Sequence, residues 1–107
     1  MALTSTLTMD NGVAKITLAG ELDASVAGKF KETIEQAASQ NPKRLVLFME
    51  GLDFMASAGL RVLVFAKQKM RSDVPIYIIG CQPPVLSSLE MSGFQKSVYL
   101  QDSYTDE

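Results

Sequence analysis

The chain has 107 residues, enough for one small domain and not for two. Its net charge of −2 comes without a basic block, which argues against a nucleic-acid footprint. It has no histidine and one cysteine, which excludes Ser-His-Asp and Cys-His catalysis and nearly all zinc and non-haem iron sites.

The lone Cys81 has no internal disulfide partner, and a free thiol fits a reducing compartment such as the cytoplasm. It follows the apolar run Ile76-Tyr77-Ile78-Ile79, so it reads as a buried thiol at a strand end. Nothing basic lies near it in sequence to lower its pKa. The start, Met1-Ala2-Leu3-Thr4-Ser5, has neither the basic n-region nor the apolar core of a signal peptide. No apolar run is long enough to span a bilayer, so no direct membrane insertion is expected.

In chain order, Leu3, Ser5, Leu7 and Met9 alternate with Thr4, Thr6 and Thr8, a half-buried strand. Asp10-Asn11-Gly12 signals a hairpin turn, because Asn-Gly accepts positive φ. Val13 to Leu18 returns as a second strand, with Ala14, Ile16 and Leu18 on one face. Ala19-Gly20-Glu21-Leu22-Asp23 reads as a loop into a helix, with Asp23 its N-cap and Ser25 the competitor. Val26, Ala27, Phe30, Ile34, Ala37 and Ala38 recur at helical spacing and make a one-faced amphipathic helix. Asn41-Pro42 ends it, since proline disfavours helical geometry in the residue before it.

Arg44 to Met49 does not alternate, and continuous apolar character predicts a central strand buried on both faces. The helix that follows carries Leu60, Val62, Leu63, Val64, Phe65, Ala66 and Met70. It is apolar nearly all round, so it is either deeply buried or offers a patch to a partner. Arg71 to Pro75 is a loop, and Ile76 to Gly80 a fourth strand. Pro83-Pro84 opens a short helix with Val85, Leu86 and Leu89 inward, and Gly93 closes it. Val98-Tyr99-Leu100 is a last strand, and the acidic tail 101–107 is expected to fray or add a helical turn. The order β-β-α-β-α-β-α-β predicts a single α/β domain over 1–107, with parallel pairs beside the N-terminal antiparallel hairpin.

Between the third strand and its helix lies Asp53-Phe54-Met55-Ala56-Ser57-Ala58-Gly59-Leu60-Arg61. Ser57 sits where a buried strand hands over to a helix N-terminus. That place carries unsatisfied N–H groups and the positive end of the helix dipole, and it accommodates anions. The alanines and glycine around Ser57 allow another backbone to approach closely. Two readings stay open on these residues alone. Ser57 is an N-cap that satisfies N–H groups two or three residues on, or it displays a hydroxyl that carries or binds a phosphate.

Two stretches carry a resemblance that spans essentially the whole chain. Gly20-Glu21-Leu22-Asp23 resembles G-E-L-D, and Phe54-Met55-Ala56-Ser57-Ala58-Gly59-Leu60 resembles F-[MI]-D-S-[ST]-G-L. Both are motifs of the STAS domain, within it of the anti-sigma factor antagonist (anti-anti-sigma) family of small bacterial proteins. The second motif is the more specific. The resemblance implies a STAS fold, with a mixed sheet of about five strands and three to four packed helices. It also implies partner switching. A serine kinase of the GHKL ATPase type, which is also the anti-sigma factor, binds the domain and phosphorylates Ser57, and a PP2C-type phosphatase reverses the step. Asp23, Met55, Ala56, Ala58 and Gly59 are then the partner-binding residues, and the free domain is a monomer. Two positions depart from the motif: Ala56 stands where an acid is usual, and Ala58 where a second hydroxyl is usual.

A competing reading is a STAS accessory subunit docked on a transporter or other complex, with Ser57 as a helix cap. Enzymatic use of Ser57 finds no support: there is no histidine base, and position 60 is leucine where a Ser-x-x-Lys would need lysine. No P-loop lysine pattern occurs, and no catalytic residue, metal or cofactor is expected. Met49, Met55, Met70 and Met91 read as gap-fillers or contact residues. Arg61 is either a solvated helix residue or a partner for a carboxylate on another protein.

Overall fold

Asn11 and Gly12 take φ of 54° and 81° and turn the chain tightly between two antiparallel strands. These are β1 (Thr4–Asp10) and β2 (Val13–Leu22). The computed structural model describes residues 2–105. Beyond the hairpin, β3 (Arg44–Met55), β4 (Ile76–Ile79) and β5 (Tyr99–Gln101) add in parallel, and the sheet runs β1-β2-β3-β4-β5. Helices α1 (Ala27–Ser39), α2 (Ser57–Lys69) and α3 (Pro83–Ser92) form the connections, and a 3-10 turn over Phe94–Ser97 precedes β5. This is the α/β architecture expected, with a five-stranded mixed sheet and three helices.

All three helices pack on one face of the sheet. Phe30, Ile34 and Ala37 of α1, Val62, Leu63 and Ala66 of α2, and Val85 and Leu89 of α3 meet Ala14, Ile16, Leu18, Leu45, Leu47, Met49, Ile76 and Ile78 in one core. The period of two puts Val13, Val46, Phe48, Tyr77 and Ile79 on the other face, where no helix lies. Val46 is nonetheless fully buried. Tyr104 covers it, folding back from the tail to meet Phe48 edge-on at 6.4 Å and Tyr77 at 5.7 Å. Its hydroxyl accepts a hydrogen bond of 2.6 Å from Arg44 Nη1, and the Lys15 ammonium sits 5.6 Å from its ring centre. The frayed tail expected over 101–107 is therefore corrected: Gln101 pairs in β5 and Tyr104 is packed, while Asp106 and Glu107 lie outside the described residues. The two-sided burial expected of β3 holds, but its second side is closed by Tyr104 of the tail with Phe48 and Tyr77, and not by helices.

Three boundaries also differ from expectation. The segment 19–22, read as loop, continues β2, and β3 runs six residues past Met49 to Met55. Two bulges on β3 explain this. The pairing steps from Thr17↔Phe48 to Ala19↔Gly51, and from Gly20↔Leu52 to Glu21↔Phe54, so β3 gains one residue at each step. Each bulge breaks the alternation along the sequence while keeping Leu52 and Met55 in the core. Asp23 is not the N-cap of α1. Val26 holds that place without a side-chain cap bond. The Asp23 carboxylate instead accepts bonds from the Ser25 N–H (2.9 Å) and hydroxyl (2.6 Å), an Asx turn that competes with capping. The other end of the sequence reading holds well. Gly93, at φ 79°, donates its N–H to the carbonyls of Glu90 and Leu89 and ends α3 as expected.

Removing the cover of the open face should be measurable. Tyr104→Ala should lower the unfolding free energy by about 1–2 kcal/mol, less than a full core truncation because the ring is only half-buried. Tyr104→Phe, which loses only the bond from Arg44, should cost about 0.5–1 kcal/mol. Urea unfolding of both variants beside wild type tests this, and identical midpoints for all three would show that the tail contributes nothing.

Candidate functional site

The carboxyl ends of β2 and β3 meet at the start of α2. The Ala56 N–H donates to the Leu22 carbonyl at 2.8 Å, closing the end of the parallel ladder. Ala56, at φ −76° and ψ 167°, is the N-cap of α2, and its carbonyl accepts the first helical bonds from Gly59 N–H (2.9 Å) and Leu60 N–H (3.2 Å). Gly59 is buried because the helix closes directly on the strand ends. A Cβ there would lie 2.8 Å from Leu22 Cδ2 and from Met55 Cγ. The small residue thus lets the N-terminus of α2 sit down on Leu22 and Met55.

Ser57 is the first residue of α2 and is exposed. No side chain caps this helix, and no hydrogen bond to the Ser57 hydroxyl exists among the described residues. The reading of Ser57 as an N-cap is corrected: Ala56 holds that position, and Ser57, already the first helical residue, makes no capping bond to the N–H groups of the first turn.

The hydroxyl opens onto a shallow depression of about 310 Å³ between α2 and α3, lined by Met55, Ala56, Ser57, Leu60, Ser88, Met91 and Ser92. Ser92 donates to the Leu89 carbonyl (3.0 Å) and Ser88, more weakly, to the Pro84 carbonyl (3.4 Å), so both are turned to their own helix. Met91 is 87% exposed at the rim. The contribution of α3 was missed from sequence. Met91 falls off the inward stripe of Val85 and Leu89, and that was the available signal, but only the packing of α3 beside α2 places it near Ser57.

The other candidate residues divide by depth. Asp23 is exposed and directly follows Leu22, the residue bonded to Ala56. The Ser25 hydroxyl bond, with further bonds from the Ser25 and Val26 N–H groups, holds its carboxyl below the usual aspartate range. It is ionised at neutral pH. Ala56 and Ala58 are half-buried, while Met55 (5% exposed) and Gly59 support the surface from beneath. The open question about α2 is also answered. Gly59, Val62, Leu63 and Ala66 are buried, Val64 is 40% exposed, and the Lys31 ammonium covers the Phe65 ring at 4.8 Å.

Cys81 lies elsewhere, in a cleft with Ile78, Leu86 and Leu100. Desolvation pushes its thiol up to about 11. Among the described residues no three potential metal ligands gather, and no helix is long and apolar enough to cross a membrane.

A two-layer α/β domain with an uncommitted serine at the junction of a parallel strand and a helix defines a class, and the comparisons identify it. Residues 5–106 match the STAS domain family, and the chain belongs to it. The chain is 26% identical over 105 residues to the anti-sigma-F factor antagonist RsfB of Mycobacterium tuberculosis, covering 98% of this chain and 86% of that protein. Its fold superimposes with a TM-score of 0.88 on an anti-sigma factor antagonist from Mycobacterium paratuberculosis, at 20% identity over 95% of this chain and 87% of the other. It also resembles the anti-sigma factor antagonist SpoIIAA. The unphosphorylated form gives a TM-score of 0.78 at 21% identity, over 91% of this chain and 87% of the other. The phosphorylated Bacillus form gives 0.70 at 20% identity, over 91% and 90%.

Two expectations follow from this geometry. Gly59→Ala would gain about 1 kcal/mol of helix propensity on an exposed helix, but here the methyl meets two buried side chains at 2.8 Å. Overpacking costs about 1–3 kcal/mol, so a net loss is expected in thermal unfolding, and a stabilised variant would show that the junction has slack. Cys81 has fewer thiolates than an ordinary cysteine at pH 8, partly offset by the greater nucleophilicity of a basic thiol. Its alkylation should be roughly tenfold slower in the folded protein than in denaturant, and equal rates would contradict the desolvated thiol.

Proposed function

We propose that this protein is an anti-sigma factor antagonist that binds a serine kinase/anti-sigma factor of the GHKL ATPase type and is switched by reversible phosphorylation of Ser57. The observation that carries this reading is the exposed Ser57 hydroxyl, held at the first position of α2 and not used by the domain itself. The relatives named above as anti-sigma factor antagonists support it, as does SpoIIAA, whose structure is known in a phosphorylated form. A PP2C-type phosphatase is the expected reverse partner. The protein acts without catalysis of its own, as a monomer in the cytoplasm.

The physics of the switch is local. Phosphate adds a charge of about −1.5 to −2. At the helix N-terminus that charge is favourable to the domain, so the fold stays intact. The surface changes instead. Ionised Asp23 stands at the end of β2 beside the same junction, so a partner seated here must face two anionic groups where it faced one. The apolar rim of Leu60 and Met91 supplies contact area around the hydroxyl. A penalty of ~3 kcal/mol weakens binding by roughly two orders of magnitude, enough for a switch. The accessory-subunit reading gave Ser57 a capping role, and Ala56 occupies the cap position.

Intact mass of the protein from its own cells tests the proposal. Wild type should carry one phosphate and Ser57→Ala none. Ser57→Ala should retain the kinase in pull-down, while Ser57→Asp should bind it roughly a hundredfold more weakly. Equal binding by the two variants, with no phosphate under any growth condition, would overturn the switch.

A further inference from the structure

We infer that Arg61 is the intramolecular ligand of the phosphate on Ser57, so that the phosphorylated form closes an ion pair along the first turns of α2. This rests on Ser57 as the phosphoacceptor and names a second residue of the same switch.

The geometry is that of a helix face. Ser57 and Arg61 are four residues apart within α2, and both are exposed. Residues at that spacing are neighbours, with Cβ atoms about 5–6 Å apart. Side chains on a helix lean toward its N-terminus, so the long Arg61 side chain covers the turn that contains Ser57 and not the turn beyond. The acid sits N-terminal to the base, which is the favourable order for such a pair.

Arg61 is also available. Among the described residues it has no ion pair and no side-chain hydrogen bond. Its neighbours along the helix face are Ser57, Ala58, Val64 and Phe65, none of them acidic. Ala56 adds no carboxylate beside Ser57, and the first turn of α2 contains no acidic residue. The depression beside Ser57 contributes only Met55, Ala56, Leu60, Met91 and serines, again no competing charge. The carboxylate at this end of the domain that adjoins the junction is Asp23, whose oxygen is already bonded to Ser25. A dianion placed on Ser57 is therefore the nearest anionic group on the helix that Arg61 can meet. Guanidinium and phosphate match in bidentate geometry, which lysine does not reproduce. The pair would hold the phosphate over α2 and take from the surface the one cation that the unphosphorylated helix presents beside Ser57.

The test installs phosphoserine at position 57 biosynthetically, so it does not depend on the cellular kinase. The second phosphate ionisation is then followed by ³¹P NMR in the full chain, for wild type, Arg61→Gln and Arg61→Lys. The wild-type phosphate should titrate about half a unit lower than in Arg61→Gln, the size expected of an exposed pair. Arg61→Lys should lie between them, and the differences should shrink in 1 M salt, where the screening length is about 3 Å. Superimposable wild-type and Arg61→Gln titrations would overturn the inference. Failure of Ser57 to be phosphorylated in cells would instead overturn the proposed switch and leave this measurement standing.

Discussion

The junction between two strand ends and one helix start is the constraint on which the site depends. A backbone bond from Ala56 to Leu22 closes the parallel ladder that joins the carboxyl ends of β2 and β3. Gly59 then allows α2 to close on Leu22 and Met55 without a side chain between them. These contacts leave Ser57 on the outer surface, because the helix turns about 100° per residue and Gly59, Val62 and Leu63 already occupy the inward side. Exposure of the serine is thus a consequence of how tightly its neighbours are packed. A looser junction would free the helix to rotate and would no longer hold the hydroxyl in one place.

The bulges of β3 serve the same end. A regular strand would have carried either Leu52 or Met55 out of the core, since a shift of one residue reverses the face of every side chain. Two added residues restore the parity twice and lengthen β3 to the level of the β2 end. The cost is a stretch of irregular pairing near Glu50 and Asp53, where the Gln82 side chain bonds the Glu50 carbonyl at 2.6 Å. Irregular backbone close to a functional surface is a common use of bulges. Here it places the helix start and not a catalytic group.

Electrostatically the site is sparse. The depression beside Ser57 is lined by apolar side chains and hydroxyls; Asp23 follows Leu22 at the junction, and Arg61 lies one turn along α2. A charge arriving on Ser57 therefore dominates its surroundings. In a crowded ionic surface the same phosphate would be one term among many, and salt would screen most of its effect. Replacement of the motif's usual acid by Ala56 makes the contrast between the two states larger. The helix dipole and the free N–H groups of the first turn favour the charged state within the domain. In the proposed switch, the cost of that charge would fall on a partner seated over Ser57.

Much of this was legible from the chain itself. Hydrophobic period identified β1, β2 and the amphipathic α1, a continuous apolar run identified β4, and Asn11-Gly12 and Gly93 marked the hairpin turn and the stop of α3. These are local signals, set by backbone sterics and by the face each element must bury. The motif around Ser57 gave the family, and its place between an apolar run and a helix gave the exposed hydroxyl. What sequence could not supply was decided by contacts between distant residues. The extended pairing of 19–22 with β3 is set by a parallel ladder whose bulges erase the alternation. Asp23 reads from sequence as the N-cap of α1, and only the placement of Ser25 and Val26 in space makes it a turn former. Tyr104 lies in a polar tail, and only the uncovered face left by one-sided helix packing gives its ring somewhere to go. The nearness of Met91 to Ser57 likewise comes from α3 lying against α2. Local chemistry determined which elements form and which serine is presented. Tertiary packing decided its neighbours, because side chains far apart in sequence share a surface only after the sheet has set their spacing.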